Sequence, residues 1–209
     1  MHFLTTLAGL KALMVDVDGV VITPRLGGWA ADLEADLGVS KADLAEQFFA
    51  VHWPEVVLGN AGLHERLGPV LARIAPGVSS YELAAYWFAK DSVLDYQLLD
   101  DLALERARGV QAHLATVQEH ERAAYIWDRL GLRGQFDALH YSADLGAKKS
   151  DPEFYAAVEA RTGFSGRELL LIDDTAENAA AARAAGWRGA HWTGAQRLSE
   201  VLADLAGAA

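Results

Sequence analysis

Five short stretches with strand patterning are spaced along the chain: the apolar runs Lys11 to Asp16 and Leu169 to Ile172, and the mixed stretches Val110 to Thr116, Phe136 to Ser142 and Arg188 to Trp192. Each is too short for a buried helix and predicts a strand. Helical spacing fills the gaps between the later runs, from Glu119 to Leu130 before Gly131, onward from Asp151-Pro152, and from Ala176 to Ala185 before Gly186. Proline in a first turn and glycine just past an end are the expected helix punctuation. Strands separated by helices pair in parallel, with right-handed crossovers and helices on both faces.

One block breaks this alternation. From Pro24 to Arg108 the spacing is helical almost throughout. It predicts helices near Trp29 to Leu37, Lys41 to Leu58, Leu63 to Ile74, Ser80 to Lys90 and Tyr96 to Arg108. Ser40 with Asp43, and Ser79 with Glu82, hold capping-box positions, and Gly59, Gly62, Pro76 and Gly77 punctuate the block. The expected fold is therefore α/β. Residues 1–23 and 109–209 form a Rossmann-like parallel sheet with helices on both faces, and residues 24–108 form an inserted α-helical cap above the carboxyl ends of its strands, where such sheets bind ligands. Arg25 lies near the joint, and Gly27-Gly28 gives the connection freedom to move.

The chain has 209 residues, 52% hydrophobic and 22% charged, enough to bury roughly 70% of its unfolded surface in a single insertion-bearing domain. A net charge of -11 disfavours nucleic acid and anionic membranes as partners, while a small anionic substrate still fits if a metal supplies local positive charge. The absence of cysteine excludes disulfides and thiolate chemistry. Met1 to Thr6 lacks a signal-peptide pattern and no apolar run approaches transmembrane length, so the expected location is cytoplasmic. The Ala-rich tail from Leu202 to Ala209 is expected to be a fraying helix end.

Chemistry concentrates at the strand ends. The first run stops at Asp16-Val17-Asp18-Gly19, two carboxylates one residue apart followed by a glycine that lets the chain turn away. Such a pair either caps a turn or gathers a cation, because two carboxylates at the end of a buried strand repel each other and are costly to desolvate. A divalent, oxygen-loving ion such as Mg2+ neutralises the pair and leaves positions for water and a phosphate oxygen. Thr116, Asp173 and Asp174 fall at other strand ends. Taken singly, Thr116 also reads as a strand-end hydroxyl satisfied by backbone, Lys149 as a surface lysine and Asn178 as a helix-start polar residue.

Taken together these residues resemble the haloacid dehalogenase-like hydrolase superfamily from Lys11 to about Trp192: Asp16 to Val20 is similar to its first motif, Thr116 to the second, Lys149 to the third, and Asp173-Asp174 with Asn178 to the fourth. The resemblance implies a Mg2+-dependent phosphomonoester hydrolase acting on a small phosphorylated metabolite. Asp16 would be the nucleophile that becomes an aspartyl-phosphate, and Asp18 the general acid and base. Thr116 and Lys149 would hold phosphoryl oxygens, and Asp16, Asp18, Asp173 and Asp174 would form the metal site, with Asp174 favoured as the direct ligand. Three departures stand out. Ser150 follows Lys149 where relatives usually carry proline, which makes Lys148 a rival. Val117 follows Thr116 where asparagine is common. The acidic pair belongs to one branch of the family.

The resemblance also implies that the cap selects the substrate. His52, Lys90, the Trp53-Pro54 turn and Asp91 are the candidates, while Leu83, Tyr86 and Trp87 share the spacing of a cap core. Asp18 argues against dehalogenation, which needs neither this acid nor a metal. A phosphomutase, a phosphonatase using Lys41 or Lys90, and a phosphate-ligand binding module without turnover remain alternatives. Substrate and oligomeric state stay open.

Overall fold

A computed structural model describes residues 7–207; the readings for Met1 to Thr6 and Ala208-Ala209 lie outside the described residues. The five stretches form strands β1 Ala12–Val15, β2 Gln111–Thr116, β3 Ala138–Tyr141, β4 Leu169–Asp173 and β5 Arg188–His191. They make one sheet in the order β3-β2-β1-β4-β5, every neighbouring pair parallel. Val15 lies opposite Leu114 on one side and Ile172 on the other, so the carboxyl ends of the three central strands are level.

Burial on both faces explains why the strands read as continuous apolar runs. Leu13, Val15, Leu114, Leu170 and Ile172 share a cluster with Leu98, Leu102, Ile126 and Leu198. The alternate residues, Ala12, Met14, Ala115, Leu169 and Leu171, pack on Phe154, Tyr155, Val158 and Trp187. Period-two alternation thus assigns each strand residue to one helical layer or the other.

The helices are α1 Leu33–Leu37, α2 Lys41–Leu44, α3 Trp53–Val56, α4 Leu63–Ile74, α5 Ser80–Lys90, α6 Tyr96–Ala107, α7 His120–Ala124, α8 Ser142–Leu145, α9 Pro152–Thr162, α10 Ala176–Ala184 and α11 Leu198–Gly207. The serines expected to cap α2 and α5 do so, Ser40 accepting from Asp43 N–H and Ser79 from Glu82 N–H. None of the helices among the described residues is long and apolar enough to cross a membrane.

Three elements differ from the sequence reading. The helix expected from Lys41 to Leu58 is α2, a π-turn at Ala45–Phe49, a break, and α3. Pro54 lies in the first turn of α3, where its missing N–H costs nothing; carried inside a continuous helix it would forfeit a bond. The helix expected from Trp29 starts only at Leu33, behind Asp32, whose carboxylate Arg25 holds at 2.5 Å. The third is α6, read as part of the insertion, which buries Leu98, Leu99 and Leu102 in the sheet's own cluster.

Helices α1 to α5 bury a separate cluster of Leu33, Phe48, Leu67, Leu71, Leu83 and Phe88, with Trp29 and Trp53 packed against it. Two chain segments join this block to the sheet and run side by side. Thr23 N–H donates to Val93 C=O at 2.8 Å, Asp95 N–H donates to Val21 C=O at 2.9 Å, and Ile22 bridges to Leu94. The joint sits directly after Asp18 and Gly19, so the insertion leaves the sheet beside the strand-end carboxylates.

Candidate active site

A cleft of about 450 Å³ lies between the carboxyl ends of the strands and the helical insertion. Asp16, Asp18, Thr116, Val117, Lys149, Asp174 and Asn178 line its sheet side. Ile22, Pro24, Arg25, Trp29 and Asp91 line the other. The residues read from four separate stretches of sequence are therefore brought together, three by the level strand ends and Lys149 by the loop between α8 and α9.

Asp16 follows β1, and its N–H donates to Ile172 C=O at 2.9 Å, which continues the pairing with β4 one residue beyond the strand. Its carboxylate Oδ1 accepts from Val17 N–H at 2.7 Å and from Lys149 Nζ at 2.8 Å. Both contacts fall on Oδ1, which orients the group and leaves Oδ2 outside both. Burial pushes Asp16 up to about 6; Lys149 pulls the other way, and the charge of Asp173 adds to the rise.

Lys149 is fully buried, and its Nζ also donates to Asp173 Oδ2 at 2.5 Å. Burial works against its charge, but the two carboxylates outweigh it and hold the ammonium above its ordinary range. The loop that presents it is fixed without the proline usual in relatives. Asp151 accepts from Lys148 N–H and from the Ser150 hydroxyl, both at 2.9 Å, and Tyr155 OH donates to Lys149 C=O at 2.7 Å. Of the two adjacent lysines it is Lys149 that reaches the carboxylates.

The acidic pair at the end of β4 divides by pleat. Asp173 has no exposed surface, and both of its oxygens are engaged: Oδ1 by Thr175 N–H at 2.9 Å and Asn178 Nδ2 at 3.0 Å, Oδ2 by Lys149. Asp174 is exposed and lines the cleft, its carboxyl pushed up by burial and then by the charge of Asp173. Carboxylate oxygens of Asp16, Asp173 and Asp174 lie within 4.8 Å of one another. Gly19 lets them meet, with φ of 80° and a position where an added Cβ would stand 2.1 Å from Asp174 Oδ2.

The structure separates the remaining candidates. His52 packs its ring 6.4 Å from that of Phe48, and Trp53 joins the aromatic cluster of Phe49 and Trp87, so neither lines the cleft. Lys90 is turned away from it, its Nζ 2.9 Å from Asp36 and stacked over the Tyr86 ring. The expectation that His52 and Lys90 face substrate is corrected accordingly. Each lies on the insertion, but on a side set by that block's own packing.

Two residues that the sequence did not single out touch Asp18. Gln118 Nε2 donates to Asp18 Oδ2 at 2.6 Å, and Arg122 Nη2 stands 3.7 Å from Asp18 Oδ1. In sequence both look like polar residues at a helix start; the available signal was their position within two and six residues of Thr116. Glu119 caps the same helix, accepting from the N–H groups of Glu121 and Arg122.

Burial pushes Glu119 up to about 7, against the pull of those two N–H groups. The native state therefore holds a proton that the unfolded chain releases near 4.5, so this contribution is complete below that value and is lost as pH rises through 7. Glu119→Gln keeps an acceptor for the cap and removes the charge. It is expected to raise the melting temperature by several degrees near pH 8 and to change it little near pH 5. Thermal melts of both proteins at the two pH values check this; equal melting temperatures near pH 8 would contradict it.

No curated protein matches the chain in sequence. Among solved structures, a haloacid dehalogenase family enzyme from Bacteroides thetaiotaomicron superimposes with a TM-score of 0.78 at 18% identity, over 92% of this chain and 98% of that one. The same enzyme in complex with magnesium and inorganic phosphate gives 0.76 at 18% identity, over 91% and 98%. L-2-haloacid dehalogenase from Xanthobacter autotrophicus gives 0.62 at 18% identity, over 88% and 79%. These likenesses are of fold. In sequence, the family model of haloacid dehalogenase-like hydrolases matches residues 10–186, which span all four of these stretches, and the chain belongs to that family.

Proposed function

We propose that the protein is a Mg2+-dependent phosphomonoester hydrolase that works through an aspartyl-phosphate on Asp16. The observation that carries this reading is the joining of Asp16, Lys149 and Asp173 into one buried chain of contacts beside the exposed carboxylate of Asp174. The family includes dehalogenases, but Asp18 sets this cleft apart. A second carboxylate two residues after the nucleophile gives the leaving oxygen a proton source.

The donor set fits a hard divalent cation. Carboxylate oxygens of Asp16, Asp173 and Asp174 lie together with Asp18 lining the same cleft, and every candidate ligand is an oxygen; burial first, and then the charge of Asp173, raises both Asp16 and Asp174. Asp16 and Asp174 would hold the ion directly, with Asp18 beside them. Asp173, whose oxygens are occupied, would orient Lys149 and the Thr175 loop behind it. The bound ion would neutralise phosphate charge and so let an anionic substrate approach the carboxylates. The solved Bacteroides thetaiotaomicron complex with magnesium and inorganic phosphate supports both choices of ligand.

In the first half-reaction an oxygen of Asp16 forms a bond to phosphorus as the ester P–O bond breaks, and Asp18 gives its proton to the departing oxygen. In the second, Asp18 takes a proton from water as that water attacks phosphorus, and the Asp16–phosphorus bond breaks to release phosphate. Lys149 and the Thr116 hydroxyl steady the equatorial oxygens, interactions worth roughly a hundredfold each in comparable sites. Helices α1 to α5 act as a cap. Arg25, Trp29 and Asp91, which line the cleft, meet the leaving group, in place of the His52 and Lys90 expected from sequence.

Phosphate release from an aryl phosphate is the test. Release is expected with magnesium and should fall to background in chelator. Equal release in both would contradict the metal assignment, and transfer between sugar phosphates without release would favour a mutase.

A further inference from the structure

A buried arginine joins the helical insertion to the sheet next to Asp18. Arg122 is 1% exposed, on α7, a helix of the sheet. Its Nη1 donates to Phe88 C=O at 3.1 Å and its Nη2 to Asp91 C=O, the last carbonyls around the end of α5. Nη2 also lies 3.5 Å from the Asp91 carboxylate and 3.7 Å from that of Asp18. The adjacent rings of Phe88 and Tyr125 lie against the guanidinium, with ring centroids 5.4 Å and 5.7 Å away.

Filling this gap did not require a charge. A buried guanidinium is costly unless carbonyls and carboxylates surround it, and an apolar side chain of the same volume packs a seam more cheaply. One guanidinium nitrogen serves two masters here: Nη2 holds the end of α5, which belongs to the insertion, and the carboxylate of Asp18, which belongs to the sheet. Gln118 holds the other oxygen of that carboxylate. The insertion has a second seam on the sheet that reaches Asp18 only through Gln118, whose C=O accepts from the Ser142 hydroxyl at 3.1 Å and from Ala143 N–H at 3.2 Å. There Ser142 Oγ donates to Val57 C=O at 2.6 Å, and Gly59 closes on Ala143.

Resting on the reading of Asp18 as acid and base, we propose that Arg122 is a positioning residue: it sets the Asp18 carboxylate at the leaving oxygen when, and only when, the carboxyl end of α5 is seated on the sheet. Proton delivery is thereby tied to the cap being down. An ester whose leaving group departs readily as an anion needs little from Asp18, whereas an alkyl ester needs a well-placed proton.

The experiment compares a nitrophenyl phosphate with an alkyl phosphate, with magnesium, in wild type, Arg122→Gln, Arg122→Lys and Ser142→Ala. Arg122→Gln is expected to lower kcat on the alkyl ester by about tenfold to a hundredfold more than on the nitrophenyl ester, with Arg122→Lys recovering part of the difference. Ser142→Ala loosens the other seam while Ala143 N–H still holds Gln118 C=O, and is expected to show no such bias. Equal losses on both esters, or the same bias in Ser142→Ala, would reduce Arg122 to a staple and overturn the proposal. Hydrogen exchange is the independent arm: Arg122→Gln should speed exchange both at residues 88–92 and at 17–19, and unchanged exchange at 17–19 would overturn the tie. Wild type inactive on both esters, with the exchange coupling intact, would sink the hydrolase reading while leaving the physical link in place.

Discussion

Asp16→Asn is expected to lower phosphate release by more than about a thousandfold while leaving the fold intact. The amide keeps an oxygen to accept from Val17 N–H and Lys149 but is a far poorer nucleophile toward phosphorus. The fold should not suffer, because the wild-type carboxylate already sits where burial disfavours its charge. Thermal melting should therefore occur at an equal or higher temperature than in wild type. The kinetic loss should fall on kcat, since bound phosphate would still find Thr116 and Lys149. A variant that kept a tenth or more of wild-type turnover would remove Asp16 from the chemistry.

Lys149→Met is expected to damage both stability and activity. Among the described residues the ammonium is the single cation between the buried carboxylates of Asp16 and Asp173, and removing one partner of a buried pair typically costs about 3–5 kcal/mol. Raising the pH from about 6 to about 8 should deepen the loss, because Asp16 is then ionised without its partner. Turnover should fall by about a hundredfold or more in the protein that remains folded. Denaturant melts at the two pH values, paired with phosphate release, read these effects separately. Unchanged stability would mean that another group neutralises Asp173.

The strands were legible because the sheet is covered on both faces, which turns Leu169 to Ile172 and Lys11 to Asp16 into unbroken apolar runs. Their carboxyl ends were legible for the same reason, and with them Asp16, Thr116 and Asp174. The resemblance favours Asp174 over Asp173 at the metal, but what Asp173 holds instead was not legible, since it depends on which side of the pleat each occupies and on the reach of Lys149 from a distant loop. The insertion was legible as helical but not in its facing. Lys90 carries the charge expected of a substrate contact, yet its ion pair with Asp36 turns it away, while its neighbour Asp91 lines the cleft. Arg122 and Gln118 escaped notice because each acquires its meaning only from Asp18, about a hundred residues earlier in the chain. The π-turn at Ala45–Phe49 and a second at Tyr125–Arg129, after α7, leave no mark in hydrophobic spacing.

The central claim is that phosphorus becomes covalently attached to Asp16. Mass spectrometry of protein acid-quenched during turnover of a phosphomonoester with magnesium tests it directly. A phosphoryl group on the peptide containing Asp16, absent from unreacted protein and from Asp16→Asn, is the expected result; steady phosphate release with that peptide unmodified at every quench time would contradict the account.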